Sequence, residues 1–229
     1  MEDLEKRLIS PDEIINRISQ AYKLKKKLSL VRLGDGEALA LAQDLVLPCS
    51  EVRKRNFLPY AGLVVPNLKA RDEVAESVKK ASIVGVAMNN LPDFTPLLMS
   101  ALEAHNININ NLQLTNACIN YFLLEKDRLK KFLLKEPRPR VLLIGNKTDK
   151  LATIMRKSEV RVIAAIKPVM GVRDWRRVMK TVAQYKFDIA LVSAGIAAVM
   201  ISEKIANHMN KIAIDFGHVA NVIIKNNHF

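Results

Sequence analysis

In the stretch Leu28-Ser29-Leu30-Val31-Arg32-Leu33-Gly34-Asp35-Gly36-Glu37, a short, mostly apolar run gives way to two glycines around an acid, and an Ala/Leu-rich run to about Asp44 follows. Branched and long apolar residues favour a strand, glycine interrupts it, and Ala and Leu favour a helix. The stretch therefore reads as strand, tight glycine turn, helix. Upstream, Ser10-Pro11-Asp12-Glu13 predicts a helix start with a hydroxyl N-cap, proline at the first position and a glutamate placed for a capping box. Ile14, Ile15, Ile18 and Tyr22 form its apolar face.

Downstream the alternation repeats. Helices are expected at 70–80, 95–105 and 117–134, with strands at 82–87 and 111–115. Further strands at 141–145, 160–166, 187–193 and 211–215 are separated by helices at 148–157, 173–186 and 195–209. Runs such as Val141-Leu142-Leu143-Ile144-Gly145 are apolar throughout, as parallel strands covered on both faces require. Helical crossovers between such strands imply right-handed βαβ units. The expected fold class is α/β, a doubly wound, mostly parallel, Rossmann-like sheet. Residues 1–229 read as a single domain, with a boundary between two lobes expected near 136–140, where Glu136-Pro137-Arg138-Pro139 interrupts the pattern. Residues 45–69, with Pro48, Pro59, Pro66, Tyr60 and Gly62, have poor periodicity and read either as a loop over a pocket or as a surface excursion.

The chain has 229 residues, 49% apolar and 26% charged, enough to form a full hydrophobic core without a metal or disulfide staple. Lys and Arg number 36 against 23 Asp and Glu, a net charge of +13 that favours anionic partners without choosing among them. Cys49 and Cys118 have no metal or redox spacing and read as reduced, buried thiols of a cytoplasmic protein. No apolar run approaches the ~20 residues of a membrane span. The basic segments at 23–27, 53–55, 126–135 and 173–177 read mostly as solvated faces. With only 12 aromatic residues and no aromatic-interleaved basic stripe, a nucleic-acid partner is not expected.

Ligands of open α/β sheets gather at the carboxyl ends of the strands. The residues there are Gly34-Asp35-Gly36-Glu37, Asn89-Asn90, Thr115-Asn116, Gly145-Asn146, Ser193-Ala194-Gly195 and Asp215-Phe216-Gly217-His218. Asp35 and Glu37, two carboxylates around one glycine, can converge on Mg²⁺ or Mn²⁺ bridging a diphosphate. The same spacing also suits a turn in which Asp35 caps the next helix and Glu37 complements its dipole. His218 has the chemistry of a base, a metal ligand or a phosphate contact. Ser193 to Gly195 can leave backbone N–H groups free for a phosphate, or can serve close helix packing. Asn146-Lys147-Thr148-Asp149 matches the guanine-reading element of small GTPases. No phosphate-binding Gly-x-x-x-x-Gly-Lys-Ser/Thr loop accompanies it, so Asn146 reads as a strand-end pocket residue, and Thr148 or Asp149 as a helix cap.

In combination, Arg32-Leu33-Gly34-Asp35-Gly36-Glu37, Leu114-Thr115-Asn116-Ala117, Val141 to Asn146, Ser193-Ala194-Gly195 and Ile214 to His218 resemble the bacterial glycosyltransferases of the GT-D fold. The resemblance implies transfer of a sugar from a nucleoside-diphosphate sugar, with a UDP-sugar as the expected donor, to a glycan, protein or lipid-linked acceptor. It makes Asp35 and Glu37 the metal and diphosphate site for Mn²⁺ or Mg²⁺. It gives His218 a catalytic or ligand role, and Arg32 a phosphate contact or the positioning of the two acids. Gly34, Gly36, Asn116, Asn146, Ser193 and Gly195 would line the substrate pocket. The chain departs from the family pattern at Ser193-Ala194-Gly195, where many relatives carry Gly-Pro. A cytoplasmic setting with peripheral contact at the inner membrane face is expected. The alternatives are a non-catalytic nucleotide-sugar binding module of surface-glycan assembly and, further off, a basic nucleic-acid binder.

Overall fold

A computed structural model describes residues 2–87 and 94–229, so Asn89 and Asn90 lie outside the described residues. The strands are β1 (Leu28–Leu33), β2 (Ile83–Val86), β3 (Leu114–Asn116), β4 (Val141–Gly145), β5 (Val162–Ile166), β6 (Ile189–Ser193) and β7 (Ile212–Asp215). They form one seven-stranded sheet in the order β3-β2-β1-β7-β6-β4-β5, and every pairing is parallel.

The helices are α1 (Glu2–Glu5), α2 (Pro11–Lys23), α3 (Asp35–Ala42), α4 (Cys49–Arg53), α5 (Leu68–Lys80) and α6 (Phe94–Ala104), followed by α7 (Ile119–Phe122) and α8 (Arg128–Leu134). The C-terminal half adds α9 (Thr148–Lys157), α10 (Trp175–Val182), α11 (Ala197–Met209) and α12 (Val219–Asn226). Side chains of α3, α5, α6, α10 and α11 pack into one core with Val31, Leu33, Val84 and Val192. Side chains of α2, α8, α9 and α12 pack into a second core with Leu30, Leu143, Leu191 and Ile214. Alternate residues of each strand feed opposite cores, which is why the strands carry apolar residues on both sides. The α/β, doubly wound expectation holds, and the sheet is parallel throughout. Helix α11 lies on the central strands and is buried nearly all round, as its apolar sequence requires.

Two local expectations change. The helix expected at 117–134 is broken into α7, a 3₁₀ turn at Glu125–Asp127 and α8. Lys126 and Asp127 both adopt left-handed backbone angles, with φ of 54° and 56°, which no helix of L-residues continues through. Residues 45–69 contain the short helix α4, and α12 follows the last strand without having been anticipated. At the chain start Ser10 does accept the Glu13 N–H at 3.2 Å, but the Glu13 carboxylate pairs with Arg17 instead of closing a capping box. Residues 136–140 connect α8 to β4, and the strands before and after them belong to the same sheet. Cys49 and Cys118 are free thiols, both half-buried. No helix of the described residues is long and apolar enough to cross a membrane.

Candidate functional site

The chain leaves β1 into α3 on one face of the sheet and leaves its neighbour β7 into α12 on the other. Connections diverging from adjacent strands open a crevice at their carboxyl ends. Gly34 to Glu37 form one wall and Asp215 to His218 the other. The glycine segment is not a separate turn, since α3 begins at Asp35 and Gly34 is its N-cap.

Between the walls stands Arg32, whose Nη2 donates to Asp215 Oδ1 at 3.1 Å and whose Nε donates to the Asp215 carbonyl at 3.1 Å. Its Nη1 donates to the Ala117 carbonyl at the end of β3, also at 3.1 Å. One guanidinium therefore ties three strands together across the top of the sheet. The chain makes room for it at Gly217, which has φ of +52° and where an added Cβ would lie 1.8 Å from Arg32 Nη2. Asn120 Nδ2 donates to the Phe216 carbonyl at 3.0 Å and steadies the same turn.

Burial pushes the Asp215 carboxyl up from its ordinary value, against the opposing pull of Arg32. Burial alone would lower the Arg32 guanidinium, but Asp215 and Glu37 hold it above its usual value. The Glu37 carboxyl is pushed up to about 7, chiefly by burial and then by the negative charge of Asp215. The crevice is thus an acidic site with a fixed guanidinium, buried at Asp215 and partly open at Asp35 and Glu37.

Glu37 Oε2 accepts the Gly34 N–H at 2.9 Å, the reaching-back half of a capping box, and Asp35 Oδ1 accepts the Gly36 N–H at 2.8 Å. Asp35 is the first residue inside the helix, so the cap expected of it belongs to Gly34. In each acid the contact engages one carboxylate oxygen. Among the described residues no three His, Cys, Asp or Glu side chains converge as a metal cage, so Asp35, Glu37 and His218 do not form one. Two hard carboxylates in a pocket rich in negative charge nevertheless fit what a phosphate-bridging Mg²⁺ or Mn²⁺ takes from a protein, because such an ion keeps water and substrate oxygens as its remaining ligands.

His218 is exposed at the N-cap of α12, and its ring stacks on Tyr60 with centroids 6.2 Å apart and planes 11° from parallel. Among the described residues neither ring nitrogen of His218 has a hydrogen-bond partner. Tyr60 belongs to the 45–69 segment and is 73% exposed. That segment lies over the strand ends. The Ala61 carbonyl accepts the Ile196 N–H at 3.1 Å, and the Gly62 carbonyl accepts the Val172 N–H at 2.9 Å. Gly62 and Gly171 pack backbone to backbone, with no space for a side chain on either.

The remaining expected pocket residues are not all in the crevice. Gly36 faces Ile196 and Ala61, and Gly195 also lies against Ala61, so both serve the packing of the covering segment. Ser193 ends β6, and among the described residues its buried Oγ has no hydrogen-bond partner. Asn146 is engaged with backbone, donating to the Val169 carbonyl at 3.2 Å and accepting the Val169 N–H at 2.7 Å. This staples the segment after β5 and leaves the GTPase-like tetrad with a structural task. Lys147 rather than Thr148 or Asp149 is the N-cap of α9, and Thr148 donates to the Gly145 carbonyl at 3.2 Å. Asn116 accepts the Cys118 N–H at 2.7 Å on the outer strand β3.

Sequence reasoning did not single out Asp215 as the partner of Arg32, nor Tyr60 and Asn120 as site residues. The acid at the end of an otherwise apolar strand was a usable signal for Asp215. Nothing in the local sequence marks Tyr60 or Asn120.

No protein of curated function matches the chain significantly. Solved structures do. One is described as showing that the highly conserved domain of unknown function 1792 has a distinct glycosyltransferase fold, and matches 93% of this chain and 81% of its own at 14% identity with a TM-score of 0.62. Another, described as a new glycosyltransferase (DUF1792) from Streptococcus sanguinis, matches 96% of this chain and 85% of its own at 14% identity with a TM-score of 0.61. The glycosyltransferase fold is therefore shared at low sequence identity. Matched to that family's description over residues 9–223, the chain belongs to the GT-D fold-like domain family.

Proposed function

We propose that the protein is a metal-dependent glycosyltransferase that moves a sugar from a nucleoside-diphosphate sugar, a UDP-sugar by expectation, to a glycan, glycoprotein or lipid-linked acceptor. The observation that carries the reading is the crevice between β1 and β7, where Glu37 lies beside the Arg32–Asp215 pair, Asp35 opens α3 on one wall and His218 stands at the head of α12 on the other. Family membership and the shared fold support it.

Asp35 and Glu37 would hold Mn²⁺ or Mg²⁺, which when bound supplies charge neutralisation to a departing nucleoside diphosphate. Arg32 spends its donors on Asp215 and Ala117, so its part is to fix the floor of the crevice and to place one positive charge beside Glu37. The unpartnered His218 nitrogens can accept a proton from an acceptor hydroxyl or donate to a phosphate oxygen. Tyr60 offers its free face to a base or sugar ring, a contact worth about 1–3 kcal/mol for a stacked base. A cytoplasmic setting with peripheral contact at the inner leaflet belongs to the same proposal.

The test is a melting-temperature panel of nucleoside diphosphates and their sugars with and without Mn²⁺, followed by turnover with the stabilising donor. Ligand at a hundred times its Kd adds about 2.7 kcal/mol, which for a domain of this size raises Tm by about 5–10 °C. The expected result is a Mn²⁺-dependent shift for one donor, lost in Asp35→Asn, with turnover reduced about 100-fold or more in Asp35→Asn and Glu37→Gln. Full metal-dependent binding and turnover in both folded variants would show the site assignment to be wrong. Stoichiometric donor binding with no transfer to any acceptor would favour a binding module.

A further inference from the structure

On one face of the sheet, α2 and α8 border a groove of about 450 Å³, lined by Asp12, Ile15, Asn16 and Ser19 from one side and by Lys126, Lys131 and Lys135 from the other. All three lysines are exposed, and among the described residues none is paired with a carboxylate. Arg128 adds a fourth cation at the head of the groove, where it is held by Asp12 at 2.6 Å. Arg128, Lys131 and the C-cap Lys135 follow one another along α8 at spacings of three and four residues; Arg128 is paired with Asp12 and Glu125, and among the described residues the two lysines are not paired. Lys126 is brought to the row by the pair of left-handed residues that breaks the expected helix. With Asp12 engaged by Arg128, the three lysines give the groove a net positive charge, which favours an anion.

The groove is connected to the crevice through α7. Arg128 Nη1 donates to the Phe122 carbonyl at 3.1 Å, and two residues earlier Asn120 donates to the Phe216 carbonyl beside Gly217. Tyr121, 41% exposed, lies between them. From Arg128 to Lys135 the row extends about 10 Å at 1.5 Å per residue, enough for more than one anionic group of an extended chain.

We propose that this groove binds a linear polyanion, a phosphodiester-linked glycan or polyol chain, and so extends the transfer site towards an anionic acceptor. Naming the occupant an acceptor rests on the glycosyltransferase reading; binding of the polyanion does not. The shape favours a chain over a membrane, because the apolar atoms of Ile15 and Phe132 line the groove instead of projecting from a convex surface. It disfavours nucleic acid, because Phe132, the ring in the groove, is 6% exposed and offers no face for a base.

The experiment measures binding of a short glycerol phosphate oligomer to the full chain over a range of salt concentrations. It compares the wild type, the combined Lys126→Gln, Lys131→Gln and Lys135→Gln variant, and Asp35→Asn. Parallel arms use vesicles of equimolar phosphatidylglycerol and phosphatidylcholine, and single-stranded DNA. The expected result is oligomer binding that weakens about tenfold or more at low salt in the lysine variant, with the slope of log affinity against log salt reduced by about 2. Asp35→Asn should bind the oligomer as the wild type does, so a failed transfer reading would leave this result standing. Because the three substitutions are exposed, the variant should keep the wild-type melting temperature. Equal oligomer binding by wild type and lysine variant, or lysine-dependent binding of vesicles or DNA tighter than that of the oligomer, would overturn the proposal.

Discussion

Asp215 is 2% exposed, and its charge is tolerated there because a guanidinium meets it. Removing one member of a buried pair strands the other, a change that costs about 3–5 kcal/mol, far more than the net worth of the pair. Asp215→Ala should therefore lower the urea midpoint by an amount equivalent to about 3–5 kcal/mol, and an unchanged midpoint would show that Arg32 has another partner. The two acids of α3 were legible in sequence because they sit two positions apart beside glycine. The Arg32–Asp215 pair was not, since its members are 183 residues apart and meet only because β1 and β7 are neighbours. Asn146 carries the opposite lesson. A side chain at a strand end looks like a pocket residue until a backbone segment elsewhere in the chain claims both its donor and its acceptor.

Among the elements, the segment at 45–69 shows how a stretch without periodicity gains a fixed shape. It is held by backbone hydrogen bonds to Ile196 and Val172 and by the contact of Gly62 with Gly171, none of them local in sequence. A Cβ at Gly171, where φ is +78°, would lie 2.1 Å from the Gly62 carbonyl oxygen. Left-handed strain and overpacking together should cost Gly171→Ala about 2 kcal/mol or more. Because this contact holds the segment that carries Tyr60, donor KM should rise more than kcat falls; a variant with wild-type stability and KM would show that the segment is held by other contacts. The break in the expected 117–134 helix has a similar origin. Leu123 before the left-handed pair and Leu129 and Leu133 after it all reach one core, while Asn120 holds the Phe216 carbonyl, contacts that lie outside the local sequence.

At the scale of the whole molecule, the sheet joins the halves on either side of residues 136–140 through the β1–β7 pairing. The single tryptophan, Trp175 of α10, adds a side-chain link, donating its indole N–H to Glu73 of α5 at 2.9 Å. Shared strands and shared cores predict one cooperative unfolding unit. Urea transitions followed by Trp175 fluorescence and by far-ultraviolet circular dichroism should coincide, whereas a fluorescence transition at lower urea would mark two separately unfolding lobes. The sequence by itself determined the alternation of strands and helices, the burial of strands on both faces and the acidic pair at a strand end, because propensity, periodicity and capping act within a few residues. Strand order, the β1–β7 crevice, the Arg32–Asp215 pair, the Tyr60–His218 stack and the cationic groove were decided only by the tertiary structure. Each joins groups far apart along the chain, and their juxtaposition depends on how two cores close on one sheet.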